Sequence, residues 1–277
     1  MTMRRSRLTA AVLLCWLATV GAAVRAEQAG LDFSLMTEVG GGRVSAVPDG
    51  ETLVLDDGRF VKLAAIQSPR RPPELPPAAL WPLEQAARAA LAELVAGRRL
   101  ALFVGPAGPG GRDRYDRLVA QLRRDDGVWV QGALLERGLA RVATTVDARD
   151  GAAALYAAEQ VARQAGLGVW RHKAYRLRDP GDVGQAVGRF AVVRGAVVSA
   201  REVRGRVYLN FGEDWRRDFT ARADKAAVRL FGAAGVSLTA LEGLTVEVRG
   251  WVHRRNGPMI DLTHPEQLVM VAGAGEP

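Results

Sequence analysis

The pentapeptide Arg178-Asp179-Pro180-Gly181-Asp182 divides this chain of 277 residues into two stretches of similar build, and that punctuation restricts the fold more than any other feature. Proline has no amide hydrogen for a helix or a strand ladder, and glycine costs more backbone entropy to order than any other residue, so no regular element should run through the segment. On either side the apolar residues come in short runs that alternate or cluster as strands do. Upstream, residues 44–47, 52–55 and 60–66 read as strands, with Asp56-Asp57-Gly58 as the hairpin turn between the second and third. Residues 81–95 have the apolar spacing of a helix, with Pro82 at its entry and Gly97 at its exit. Residues 99–104 and 118–122 read as further strands, followed by helices near 129–138 and 150–165.

Downstream the pattern resumes. Residues 190–199, 206–211, 218–223, 244–253 and 259–262 read as strands, with a helical stretch over 226–241 before the fourth. Five strands with a helix between the third and fourth describe an OB-type barrel. The expected architecture is therefore an α+β chain of two tandem five-stranded OB-fold-like barrels, residues 37–178 and 183–272, the first carrying a helical cap. The two halves share no sequence repeat strong enough to show duplication.

The start of the chain bears on compartment. Arg4, Arg5 and Arg7 precede an apolar run, and Val24-Arg25-Ala26 supplies small residues before Glu27, which is the layout of a secretory signal peptide over residues 1–26. The expectation is an exported protein, periplasmic or secreted, with no stable membrane span once that segment is removed; an uncleaved anchor is the alternative. The lone cysteine, Cys15, lies inside the run, so the exported chain would need no disulfide. The formal charge of +8 falls to +4 without Arg4, Arg5, Arg7 and Arg25. A mild positive excess permits nucleic-acid binding without demanding it.

Three segments carry the chemistry: Asp49-Gly50-Glu51-Thr52, the run from Phe60 through Lys62, Gln67, Ser68 and Pro69 to Arg70, and Asp113-Arg114-Tyr115-Asp116-Arg117. In order and spacing they resemble the staphylococcal nuclease (thermonuclease) family, over roughly residues 40–172. That resemblance implies a capped five-stranded barrel and calcium-dependent hydrolysis of DNA and RNA phosphodiesters. It also implies two calcium-binding aspartates, a general-base glutamate and two arginines, at positions held here by Glu51, Gln67, Arg70, Lys62 and Arg117. Glu51 keeps a charge on a longer stem and is the one candidate metal ligand. Gln67 offers a single neutral carbonyl oxygen, and calcium affinity follows the number of charged ligands. Arg70, at the base position, cannot accept a proton. Lys62 puts a point charge where a bidentate fork would grip phosphate. Arg117, with Arg114 and Tyr115, keeps the side on which the family holds a nucleotide phosphate.

Loss of a general base costs ~10²–10⁴ in rate and loss of a charge-stabilising donor ~10²–10³. The remnant catalytic positions Glu51, Lys62 and Arg117 are therefore expected to bind rather than cut, with no cofactor, or calcium if activity persists. Glu74 could replace the base or be a solvated loop charge. Asp113 and Asp116 could hold a relocated metal, or shape a turn and pair with Arg114 or Arg117. Arg70 and Arg71 with Lys62 and Arg117 could line a cationic pocket countered by Glu51; the alternative is a basic loop with Glu51 paired to Lys62. The family's pocket tyrosines are replaced by Thr144 and Val146, and Trp170 reads as packing.

In the second half, Tyr208, Phe211, Trp215, Phe219 and Trp251 interleave with Arg204, Arg206, Arg216, Arg217, Arg249, Arg254 and Arg255, the composition of a surface that stacks bases and tracks phosphates. Phe211, Phe219 and Trp251 read as barrel interior; Tyr208, Trp215, Arg216 and Arg217 are the better contact candidates. The three histidines show no zinc spacing. The expected partner is nucleic acid or another polyanion. An active metal-dependent phosphodiesterase and a scaffold for an envelope protein are the other classes considered.

Overall fold

The computed structural model describes residues 30–72, 75–76, 79–108 and 111–271; the proposed signal segment 1–26 and Glu74 lie outside them. The first half contains β1 (Thr37–Asp49), β2 (Thr52–Leu55), β3 (Phe60–Leu63), β4 (Ile66–Gln67), α1 (Pro82–Val95), β5 (Arg99–Val104), β6 (Leu118–Arg124), α2 (Val130–Glu136), β7 (Arg141–Val142) and α3 (Ala152–Gln164). β1, β2, β3, β6 and β5 close a barrel in that order. β1 serves both ends of the ring, pairing with β5 through residues 37–43 and with β2 through residues 44–49. Of the ring's pairings, that between β3 and β6 is parallel. Inside lie Leu53, Leu55, Val61, Leu63, Leu100, Leu102 and Leu122, each 0–1% exposed, the inward half of a period-two alternation. α1 buries Ala87, Ala90, Leu91, Leu94 and Val95, the stripe of an amphipathic helix.

The strand expected over 60–66 breaks where it matters most. Ala65 adopts φ 60°, a left-handed conformation that turns the chain out of the barrel wall. β4 then leaves the ring to pair with β7, setting Gln67 opposite Arg141.

The second half contains β8 (Phe190–Ala196), β9 (Ser199–Val203), β10 (Arg206–Asn210), β11 (Thr220–Ala223), α4 (Lys225–Ala233), β12 (Thr245–Arg255), β13 (Gly257–Leu262) and β14 (Leu268–Met270). β9, β10, β11, β13 and β12 are neighbours in that order, and β8 pairs with β12. β8 and β9 are halves of one bent strand: at the bend the Val197 amide donates to Leu244 O and the Val198 amide to Asn210 O. The sheet thus runs from β9 through β12 to β8 with one parallel pairing, β11 with β13, and α4 between its third and fourth strands. That is the connectivity of the first barrel on an unrelated sequence. The helix expected over 226–241 is α4 followed by a separate 3₁₀ turn, Leu238–Leu241; β14, pairing with β12, had no sequence reading.

The Arg178–Asp182 punctuation is drawn into the second half. The Arg178 amide donates to Val192 O, and the 3₁₀ helix Pro180–Ala186 places Val183 and Ala186 in the second core.

Between the barrels, β12 presents Val246, Val248 and Val252 to its own core and Glu247 and Arg249 to the opposite face, where all five are at most 3% exposed. That face meets α3. Arg249 Nη1 lies 3.0 Å from Glu159 Oε2, Arg249 Nη2 2.8 Å from Glu247 Oε1, and Arg163 Nη2 2.9 Å from Glu247 Oε2. Arg249, read from sequence as part of a nucleic-acid surface, is 1% exposed and serves this junction instead. Among the described residues no helix is long and apolar enough to cross a membrane.

Candidate functional site

The turn between β1 and β2 builds the centre of the site. Gly50 packs so tightly there that a Cβ would fall 2.8 Å from Ala87 Cβ and 2.9 Å from Ser68 Cβ, so a side chain at this position would push the turn off α1. The next residue, Glu51, is 2% exposed. Its Oε1 accepts from Lys62 Nζ at 3.3 Å and from Arg70 Nη2 at 2.5 Å, and its Oε2 from the Ser68 amide at 2.8 Å. Burial alone would raise the carboxyl; the Lys62 and Arg70 charges and the Ser68 amide outweigh it and hold the group below its ordinary value. Glu51 is therefore an ion-paired carboxylate, with Arg70 as well as Lys62.

Arg117 stands one residue away in space, its Nη1 3.4 Å from Thr52 Oγ1. Its Nε and Nη2 donate to Asp113 Oδ2 at 2.9 and 2.7 Å, while Asp113 Oδ1 accepts from the amides of Tyr115 and Arg117. Asp113 thus shapes the turn and holds the arginine, whereas Asp116 pairs with Arg112 at 3.1 Å. Tyr115 is exposed, with the Arg114 and Arg117 guanidinium carbons 4.7 and 5.3 Å from its ring centroid. Arg71 turns away from Glu51 and donates to the carbonyls of Leu75 and Pro76.

The calcium site implied by the resemblance does not fit this donor set. Glu51 is shared between two cations, and Gln67 Oε1 is a buried neutral oxygen with no hydrogen-bond partner. Among the described residues no three Asp, Glu, His or Cys side chains come together to hold a metal ion.

A second feature lies on the other barrel. Arg201, Val203, Tyr208, Asn210, Trp215, Thr220, Arg255, Asn256 and Met259 line a groove of about 460 Å³. Trp215 is 51% exposed, with Arg216 stacked on its ring at 4.7 Å; Arg217 is exposed beside them. Phe211 and Phe219 are buried as expected, but Trp251 is 58% exposed. The expectation of Trp251 as barrel interior is overturned by register: it shares the outward face of β12 with Glu247 and Arg249.

A closed barrel with one parallel pairing, a helix between its third and fourth strands, and a charged cluster at the β1–β2 turn define an OB-type nuclease-like unit. Residues 60–172, from β3 of the first barrel through its helical cap, match the family described as staphylococcal nuclease homologue. No curated protein matches the chain. The match begins at β3, so Glu51 lies outside it and is placed by the barrel's geometry.

Proposed function

We propose that this is an exported protein whose nuclease-type domain binds nucleic acid or another polyanion without hydrolysing it. One observation supports the loss of cutting above all others: Glu51, the last acidic group of the implied metal site, is tied to Lys62, Arg70 and the Ser68 amide. A guanidinium there cannot take a proton from water, and a carboxylate held by two cations has little left for a metal. Binding is supported by the exposed pair Arg114–Tyr115 and by the groove holding Tyr208 and Trp215, whose aromatic and cationic side chains suit bases and phosphates. Export rests on the basic and apolar segment of residues 1–26.

The test is incubation of the purified protein with labelled single- and double-stranded oligonucleotides, in calcium, in magnesium and in chelator. The expected outcome is retention that weakens log-linearly with salt and no cleavage in any condition. Metal-dependent cleavage abolished by Arg117→Ala would overturn the reading.

A further inference from the structure

Among the described residues, buried charges come with a partner, with one exception. Glu51, Glu159, Arg178, Glu247 and Arg249 are each at most 6% exposed, and each has an opposite charge within 3.6 Å. Arg141 is also 6% exposed, yet no described carboxylate lies within ion-pairing distance. Its Nη2 donates to Phe190 O at 3.3 Å, and its guanidinium sits 4.9 and 5.0 Å from the Tyr175 and Phe190 ring centroids. Burial lowers its pKa to about 10, which leaves it charged at neutral pH. An unpaired buried charge is expensive, and two aromatic faces offset only part of that cost.

Arg141 opens on a cleft of about 240 Å³ between the barrels. Gln67, Ser68, Arg70 and Arg71 form one wall, and Gly188, Arg189, Phe190 and Trp251 the other; no described carboxylate lines it. Tyr175 braces the wall, donating to Arg70 O at 3.0 Å and accepting from Trp81 Nε1 at 3.1 Å. Gln67 Oε1 is an unused acceptor beside it. The aromatic row ends at Trp251, which is more than half exposed and whose ring meets Phe190 edge-on at 6.4 Å.

We propose that this cleft, bounded by Gln67, Arg70, Arg141, Tyr175, Phe190 and Trp251, is a subsite for one nucleotide unit of a single-stranded nucleic acid. Its phosphate meets Arg141 and its base stacks on Trp251. The guanidinium is already desolvated and held, so an arriving phosphate gains a charge-assisted hydrogen bond without ordering the arginine. Gln67 Oε1 would accept an N–H or O–H of the same unit. The inference rests on the nucleic-acid reading above and relocates the contact from the former metal pocket to the junction, which neither barrel forms alone.

The experiment is titration of the purified protein with a fluorescent thymidylate oligonucleotide of about ten nucleotides, within the site size of OB folds, comparing Arg141→Gln, Trp251→Ala and Tyr208→Ala. Arg141→Gln is expected to weaken binding about 10- to 100-fold and to lower the salt slope by about one ion. Trp251→Ala is expected to weaken it at least about fivefold. Thermal melts check that Arg141→Gln is folded; if it is not, exposed Trp251 decides alone. Full-strength binding by folded Arg141→Gln or by Trp251→Ala, with loss in Tyr208→Ala, would place the ligand in the second barrel's groove and overturn the subsite while leaving nucleic-acid binding intact. No binding by the unaltered protein at low salt would overturn both. Competition by inorganic phosphate at the same concentration as by a mononucleotide would remove the base contact and overturn the subsite as stated.

Discussion

Glu51 shows what one buried carboxylate can do when its surroundings are cationic. In an empty metal site, neighbouring carboxylates repel and neutralising one relieves strain. Here the neighbours are Lys62 and Arg70, so Glu51→Gln should leave two cations facing a neutral amide. The expected result is destabilisation of about 2 kcal/mol, discounted from the ~3–5 kcal/mol of a fully buried pair because Arg70 is half exposed; urea unfolding measures it, and a more stable variant would contradict the pairing. Because the folded pKa is depressed, the contribution is full above the ordinary value of 4.5 and is lost as pH falls through the folded value. At this scale the sequence was most legible: Gln67 brings a neutral carbonyl and Arg70 a guanidinium that cannot accept a proton, wherever they sit. Arg141 carried no such signal, because its importance lies in having no carboxylate within ion-pairing distance among the described residues, and no sequence shows a missing neighbour.

At the scale of elements, the contact between α3 and β12 decides the molecule's form. The strand pattern of β12 was readable, and so was its inward face, Val246, Val248 and Val252. Its other face, Glu247 and Arg249, looks in sequence like any solvated polar edge. α3 covers it, and Arg249 then bonds to Glu159, to Glu247 and to the Val142 carbonyl. Arg249→Met should leave Glu159 with only Arg163 at 3.9 Å and Glu247 with Arg163 and Arg194, and cost about 3 kcal/mol, read as a fall in the denaturant midpoint. Adding Glu159→Gln and Glu247→Gln should recover part of that loss, since neutral amides need no counter-charge and the cations that remain, Arg163 and Arg194, are partly exposed. Additive losses would mean that the cluster is not a coupled unit.

For the whole molecule, the junction carries a built-in sensitivity to acid. His264 of the second barrel is 1% exposed and bonds to Thr144 of the first, Nε2 to Oγ1 at 2.8 Å. Burial, with a smaller contribution from Arg149, pushes its pKa down to about 4. The unfolded chain therefore binds a proton that the folded chain refuses, so stability falls as pH drops from 6.5 toward about 4, by on the order of 2–3 kcal/mol. Melting temperature against pH should show that slope, His264→Gln should flatten it, and both barrels should unfold in one transition if the junction couples them. The sequence sufficed for what depends on local period and on side-chain chemistry: two sets of barrel strands, the capping helices, and a nuclease-like motif that keeps Glu51 alone of its implied acids. Burial on the outward face of β12, the turn at Ala65 that sets Gln67 against Arg141, and the exposure of Trp251 were settled only in three dimensions. Each depends on which distant surface covers a residue, and alternation along a strand distinguishes its two faces without saying what lies against either.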